Sequence, residues 1–491
     1  MKILLINPPL NLYPGELISV VPPLGLAYIA AVLEKEGEEV RILDCLALSW
    51  SHPLKIKKRK RVIFRLSPPD KFLEDYLKEF NPQVVGISNL FSPSEKEALR
   101  LAAKIKKILP KTLVVVGGAN ASARYDVFIE DKNIDFVVIG EGEETMKELV
   151  KVIKAKGNFR RIKGLVFKDK RGKAVITTVR PLIKNLDNLP FPAWHLLPME
   201  EYFHGQPAGF FFLKKRFGFV VTSRGCPNNC SFCTNELIWR RKWRARSVEN
   251  VMKEIKALKK NYRIEEVQFI DSNISVDRQR MKSLCRALKK ENLPWIPAGG
   301  VAASTLNREL IRLMAQSGCY ALQFGVEHGD LEMQRRIGKI VPLKTIQELV
   351  SVCKELGIWT HGNFIVGLPG ETKETAYKSL EYAIKADFDS VSFFTALPLP
   401  GSRVYEEVFN QKKITVDNLR FYLSKTKCSD LSLAEVQKII RTSFKKFFLF
   451  RLKKELNPFN FLKRVKKIKS FDHFRFYFRI LKRFIQLETL K

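Results

Sequence analysis

Residues 224–233 read R-G-C-P-N-N-C-S-F-C. The stretch sets Cys226, Cys230 and Cys233 at C-x3-C-x2-C spacing, in a loop rich in glycine, proline and asparagine. Three thiolates so close together can hold a compact metal centre. A cubane iron–sulfur cluster commonly takes four thiolates, so three leave one iron without a protein ligand. Structural zinc is the alternative, and it wants four closed protein ligands. No fourth Cys or His follows at zinc-finger spacing: His195 and His204 lie upstream and His328 is distant. The ligand count favours the cluster.

Downstream of this loop, short apolar runs alternate with helical patterns. The runs are FGFVVTS, EVQFID, PAGGVAA, YALQFGVE, HGNFIVGL and SVSFFTA, and helical spacing marks 248–260, 277–291 and 371–385. Six such repeats predict a partial (β/α)6 TIM-like barrel over residues 216–410. Barrel chemistry gathers at the carboxyl ends of strands. Cys226 follows the first run, Asp271 ends the second, Glu327 ends the fourth, Gly367 and Pro369 follow the fifth, and 398–401 follows the sixth.

Upstream, residues 1–150 alternate in the same way: KILLIN, a helix over 24–36, EVRILD, VVGIS, a helix over 94–109, TLVVVGG and DFVVIG. Strands apolar on both faces belong in a covered parallel sheet, which predicts a doubly wound, Rossmann-like α/β domain. Its ligand rim is the set of strand ends: Asn7 and Pro9, Ser88 to Phe91, Gly117, Gly118 and Asn120, and Gly140, Glu141 and Gly142. Residues 151–215 read as a connector, with a hairpin turning at DKRGK and then a proline-punctuated stretch. The uncharged stretch 17–33 contains Pro22, Pro23 and Gly25 and falls short of the roughly 20 residues a membrane span needs. It reads as a loop and then a buried helix from Leu24, closed by Gly37. No secretory signal is visible. A cytoplasmic protein is expected.

The cysteine spacing, Phe232 before the third cysteine, and the position after a first barrel strand resemble the radical S-adenosylmethionine (SAM) superfamily. Further segments share the resemblance: W-R-A-R-S-V-E-N-V-M-K-E-I after the cluster loop, G-C-Y-A-L-Q-F-G-V-E at the fourth strand, F-I-V-G-L-P-G-E-T at the fifth and P-L-P-G-S at the sixth. P-P-L-G-L-A-Y-I-A-A-V-L, V-V-G-G-A-N and I-G-E-G-E-E-T resemble the cobalamin-binding domain that precedes the barrel in one subgroup, which includes anaerobic cyclases and class B methyltransferases. The resemblance spans about residues 1–450.

The resemblance implies a [4Fe–4S] cluster on Cys226, Cys230 and Cys233, whose open iron chelates the amino and carboxylate groups of SAM. One electron then cleaves a sulfur–carbon bond, and the deoxyadenosyl radical takes hydrogen from an unactivated carbon. By the same resemblance Ser272 and Asn273 lie near the SAM amino group, and Glu327 faces its methionine or ribose. Ile365 and Gly367 let backbone approach the adenine. The plainer readings are a rim ion pair for Glu327, a turn role for Gly367 and Gly370, and a helix cap for Asp271. Cobalamin is implied as a second cofactor, between the first domain's strand ends and the barrel mouth. The D-x-H-x-x-G signature is absent, and Asn120 stands where relatives often carry histidine, so binding without a histidine ligand is expected. A domain that merely packs on the barrel is the alternative. Only Cys45 precedes Cys226, which argues against the second cluster of methylthiotransferases. The expected reaction is methylation, or other functionalisation, of an unactivated carbon, with an electron donor such as a flavodoxin or ferredoxin. Radical cyclisation or coupling is the alternative within enzymes. A basic nucleic-acid-binding protein with structural zinc is the alternative of another class.

Composition sets the outer bounds. The chain has 491 residues, 45% hydrophobic and 28% charged, which excludes wholesale disorder and fibrous classes. Eight cysteines are too few for a disulfide scaffold, and the scattered Cys45, Cys285, Cys319 and Cys353 read as core. The formal charge is +35, which speaks to anionic partners and not to fold. Residues 411–491 hold 22 Lys and Arg against six Asp and Glu, interleaved with phenylalanine. Ser432 and Glu435 form a capping-box signature opening a helix to about Leu456, and Phe461, Val465, Ile468, Phe478, Leu481 and Ile485 keep helical spacing. Such a basic helical tail suits packing on the barrel, an anionic membrane surface or, less well, nucleic acid. The basic runs 55–61 and 239–246 lie outside the tail. A small or lipid-like substrate, taken from a membrane, is the reading that follows.

Overall fold

The computed structural model describes residues 1–12, 20–58, 61–204, 212–409, 426–457, 471–476 and 478. The N-terminal strands are β1 (Lys2–Asn7), β2 (Leu10–Leu12), β3 (Glu39–Asp44), β4 (Leu54–Lys58), β5 (Arg61–Leu66), β6 (Val84–Ser88), β7 (Leu113–Gly117), β8 (Phe136–Val138), β9 (Leu165–Lys168) and β10 (Ala174–Ile176). Seven of them form one sheet in the order β10-β9-β8-β7-β6-β1-β3. The β3, β1, β6, β7 and β8 strands run parallel, as their two-sided burial predicts. The hairpin β9–β10 belongs to this sheet: β9 pairs antiparallel with β8. The basic run at 55–61 is not a free charged loop, because β4 and β5 pair there and join β2 in a small antiparallel sheet. The first helix runs Leu24–Lys35 and turns out at Gly37, which has φ +80°.

The second half contains β11 (Phe217–Val220), β12 (Ser223–Arg224), β13 (Arg244–Ala245), β14 (Glu266–Phe269), β15 (Trp295–Pro297), β16 (Ala321–Glu327), β17 (Trp359–Val366) and β18 (Ser390–Thr395). β11, β14 and β15 form one parallel set and β16, β17 and β18 another. Parallel bridges Trp295–Cys319 and Val301–Phe324 join the two sets, giving six barrel strands. The third strand differs from its predicted place at PAGGVAA. It lies earlier, because the backbone bends at the glycine pair: a Cβ on Gly299 would come within 2.1 Å of the Asp271 carbonyl oxygen. Only Val301 re-enters the ladder. Cys45, Cys285, Cys319 and Cys353 are buried in the core.

One apolar core crosses from the first sheet through the connector into the barrel. Trp194, Tyr202 and Phe203 of the connector are buried in it. The Tyr202 hydroxyl donates to Asp44 Oδ2 at 2.7 Å, and Asn7 Nδ2 donates to Asp44 Oδ1 at 2.8 Å, so the end of β1 is committed to holding the connector.

The helix Leu433–Glu455 starts with the expected reciprocal cap between Ser432 and Glu435. Val436, Ile439, Ile440 and Phe447 are buried, and Phe444 meets the Phe393 ring of β18 edge-on at 5.5 Å. At its far end Arg451 binds Asp387 at 3.0 Å. Beyond it, Phe476 is buried against Tyr320 and Trp359 at the floor of the barrel, with ring centroids 5.8 and 5.6 Å away. Of the six tail positions read as a second helical pattern, all but Phe478 lie outside the described residues. Among the described residues no helix is long and apolar enough to cross a membrane.

Glu266 lies on the same floor, fully buried. It accepts from the backbone N–H groups of Leu213 and Lys214, from Gln268 and from the Tyr320 hydroxyl. Burial pushes its carboxyl up to about 7 despite these donors. A carboxyl held above its unfolded value binds its proton more tightly when folded. Its stabilisation is therefore complete below the unfolded value of 4.5 and declines as pH rises to about 7. Between pH 5 and 7.5 the native protein is expected to lose up to about 3 kcal/mol on this account. Denaturant midpoints at the two pH values check this, and Glu266→Gln should flatten the difference.

Candidate functional site

The cysteine loop leaves the barrel mouth between β12 and the short helix Asn235–Trp239. Its path requires Gly225, which has φ +89° and whose added Cβ would come within 2.1 Å of the Lys242 carbonyl oxygen. The loop is anchored from three sides. Ser231 N–H donates to the Ile337 carbonyl at 2.8 Å, Val404 N–H donates to the Ser231 carbonyl at 3.0 Å, and Arg403 donates to Asn229 Oδ1 at 3.1 Å. Phe232 packs on the cluster of Met333, Ile337, Leu368 and Ala396. All three cysteines are free thiols, partly buried. Burial pushes the Cys230 thiol up to about 12 and raises Cys233 as well; Cys230 also feels the charge of Cys233 and Cys226, and Cys233 that of Cys226. Among the described residues no three His, Cys, Asp or Glu gather about a single-ion site. The donor set, three soft thiols on one anchored loop, fits a multi-iron cluster, with proton release on loading.

Glu327 ends β16 at a register shift, with φ +65°, and accepts from Lys339 Nζ at 2.6 Å. Burial pulls the Lys339 ammonium down, but Glu327 and the thiols of Cys230 and Cys226 outweigh it and the net shift is upward. Lys339 thus brings a partly buried cation to the cysteines, and the sequence reading missed it. Ser272 is exposed at the mouth. Asn273 is buried, and its Nδ2 has no hydrogen-bond partner. Asp271 neither caps a helix nor faces the mouth: Thr222 and Ser223 donate to it and fasten β11 to β14. Ile365 packs beside Phe232. The bare side of Gly367 faces the C-terminal helix, where an added Cβ would meet Val436 at 3.2 Å, so the glycine serves that packing.

A largely apolar cavity lies between the first domain's strand ends and the barrel mouth. Ser88, Gly117, Gly118, Gly140, Glu141, Gly142 and Ser272 line it, as do Gly225 and Thr234 on either side of the three cysteines. Asn7, Pro9, Asn89, Phe91 and Asn120, expected at the rim, do not line it. Asn7 is bound to Asp44. Pro9 lines a separate cavity with Arg65 and Glu97. Asn120 turns inward, bonded to Asn89, Ser92 and Glu95. Among the described residues that line the main cavity none is a histidine. An apolar slot edged by glycine backbone fits a flat macrocycle such as a corrin.

Glu141 does more than edge this cavity. Arg224, two residues before Cys226, is buried and donates to Glu141 at 2.9 Å and to Glu143 at 2.6 Å. Arg244 binds the second oxygen of Glu141, also at 2.9 Å. Burial works against the Arg224 charge, but Glu143 and Glu141 more than offset it. Tyr28 and Trp239 cover the guanidinium, with ring centroids 5.0 and 5.8 Å away. Arg224, Tyr28 and Trp239 were not singled out from sequence. The R-G-C context of Arg224 was the one available signal, and the run holding Trp239 read only as charge.

Two family models match: the radical SAM superfamily over residues 220–383 and the B12 binding domain over 15–150. The cytidylyl-2-hydroxyethylphosphonate methyltransferase of Streptomyces wedmorensis is 34% identical over 84% of this chain and 82% of its own length. The chain belongs to the radical SAM superfamily. It falls among the members with a B12-binding domain, and it is a radical SAM enzyme whose cofactors are the [4Fe–4S] cluster, SAM and cobalamin. The anaerobic magnesium-protoporphyrin IX monomethyl ester cyclase of Cereibacter sphaeroides is 25% identical over 91% of this chain and 70% of its own. The radical SAM methyltransferase TsrM from Kitasatospora setae, solved with cobalamin and a [4Fe–4S] cluster, shares the fold: TM-score 0.66 at 21% identity, over 84% of this chain and 75% of that one.

Gly225→Ala should deform the cysteine loop of this radical SAM enzyme without unfolding it. Iron and acid-labile sulfide in anaerobically purified protein are expected to fall by more than half, with the far-ultraviolet circular dichroism unchanged. Full iron loading would contradict the anchoring described.

Proposed function

We propose that this radical SAM enzyme transfers a methyl group to an unactivated carbon of a small-molecule substrate, with cobalamin as the methyl carrier. One observation carries the reading: the cavity suited to a corrin reaches both ends of the loop that holds the cluster ligands. A cofactor in the first domain therefore opens onto the place where SAM is cleaved. When bound, the cluster supplies the electron and the cobalamin the methyl group. The remaining roles belong to this chain. Cys226, Cys230 and Cys233 would hold the cluster by their thiolates. Lys339 offers a partly buried ammonium to a carboxylate, and Asn273 offers its unpartnered Nδ2 at the same mouth. Glu327 fixes Lys339. Ser88, Gly117, Gly118, Gly140 and Gly142 present backbone and small side chains to the corrin. Tyr28 and Trp239 close the slot beside Arg224. A flavodoxin or ferredoxin is the reductant this chemistry calls for.

The products separate methyl transfer from cyclisation. Reductive cleavage of SAM leaves 5′-deoxyadenosine and methionine, whereas methyl donation leaves S-adenosylhomocysteine. Anaerobic protein reconstituted with iron, sulfide, SAM and cobalamin, and supplied with dithionite as electron donor, is expected to form both nucleosides. Omitting cobalamin should abolish S-adenosylhomocysteine alone. Deoxyadenosine as the sole product, with cobalamin bound, would favour the cyclase-like reading. Neither product from a fully loaded cluster would contradict both.

A further inference from the structure

The last part of the chain leaves apolar side chains in water at the end of the barrel opposite the cysteines. On the outward face of the helix Leu433–Glu455 and the residue following it, Leu449, Leu452 and Leu456 are exposed, the last at 74%. They follow i, i+3, i+7 spacing and so form one stripe. Phe471, Phe474 and Phe478 repeat that spacing and are at least half exposed, while Phe476 of the same segment is buried in the barrel floor. Large apolar groups seldom gather on a water-facing surface without a partner.

Both stripes belong to the same end of the molecule. Arg451 and Lys454, between the leucines, bind Asp387 just before β18 begins. Phe476 packs on Tyr320 and Trp359, where β16 and β17 begin. The cysteine loop lies at the other ends of the strands.

The surroundings are cationic. From Val436 to Asn457 the sole acid is Glu455, and it is bound to Arg451. The same outward face carries Lys445 and Lys453 beside the leucines, both exposed. Arg475 is exposed over the Phe471 ring at 4.6 Å. Asp472, the acid of the second stripe, is bound to Lys214. Apolar side chains and lysines on one face, without free acids, match an interface where acyl chains begin beneath anionic headgroups. A protein partner would more commonly meet such leucines with an apolar core and a mixed rim.

We propose that this end of the barrel docks on an anionic phospholipid bilayer, the leucine and phenylalanine stripes entering the headgroup region and the lysines pairing with lipid phosphates. The docked enzyme keeps its cysteine mouth away from the bilayer plane. The inference stands apart from the methyl-transfer reading, because the docking surface shares no residue with the cavity.

Flotation of the full-length protein with phosphatidylcholine vesicles, with and without phosphatidylglycerol, tests it. The protein is expected to rise with the anionic vesicles at low salt, and not with phosphatidylcholine alone or at high salt. Leu452→Asp with Leu456→Asp should weaken partitioning roughly tenfold, and separately Lys445→Gln with Lys453→Gln roughly thirtyfold, at about 1 kcal/mol per lost cation. Iron content should stay unchanged in both. Absence of flotation on anionic vesicles, or flotation undiminished in both variants, overturns the proposal. Self-association lost in the leucine variant without flotation would assign the patch to a second copy, and flotation abolished by nuclease would assign it to nucleic acid; either result also overturns it.

Discussion

A guanidinium buried between two carboxylates cannot be left alone. Arg224 holds Glu141 and Glu143 of the first domain while its chain neighbours begin the cysteine loop. Removing one partner of such a pair costs about 3–5 kcal/mol, because a charge remains buried without compensation. The two halves of the protein are therefore locked at the point where their chemistry has to meet. Arg244 and the rings of Tyr28 and Trp239 complete the enclosure. The result is a cavity whose walls come from both domains, with the thiols at its edge.

Around that lock the barrel serves mainly to aim strand ends. β14 delivers Asp271 to fasten the first strand, and β16 delivers Glu327 to hold Lys339. β17 ends at Gly367, whose missing side chain admits Val436 and so the C-terminal helix. Buried polar groups of the barrel are satisfied in chains of this kind: His328 bonds to Glu371, which in turn accepts from Leu368 N–H. Asn273 Nδ2 is an exception, a buried donor without an acceptor. An unmet buried donor costs about 1–3 kcal/mol, which a ligand oxygen would recover.

Much of this was legible in the chain. Short continuous apolar runs placed the parallel strands, and the Ser432–Glu435 signature placed the C-terminal helix cap, because both are local patterns. The third barrel strand was misplaced because its end is set by a close approach of Gly299 to a distant carbonyl, which no local pattern records. The pairing of β4 with β5 hid behind its charge. At the site, the cysteines announced themselves by spacing. Asn7 and Asn120 occupy strand ends as expected yet turn to Asp44 and Glu95, since strand-end position does not fix where a side chain points. Lys339 and Arg224 needed tertiary contact to be seen: each is an ordinary basic residue until the fold brings a carboxylate to it.

The central claim is that three thiolates hold a four-iron cluster whose free iron takes SAM at the edge of the cavity between the two domains. Electron paramagnetic resonance of the anaerobically reduced protein, recorded without and with SAM, tests it most directly. The account predicts a half-integer-spin cluster signal whose g-values move when SAM is added. A fully loaded, reduced cluster whose spectrum is indifferent to SAM would contradict it.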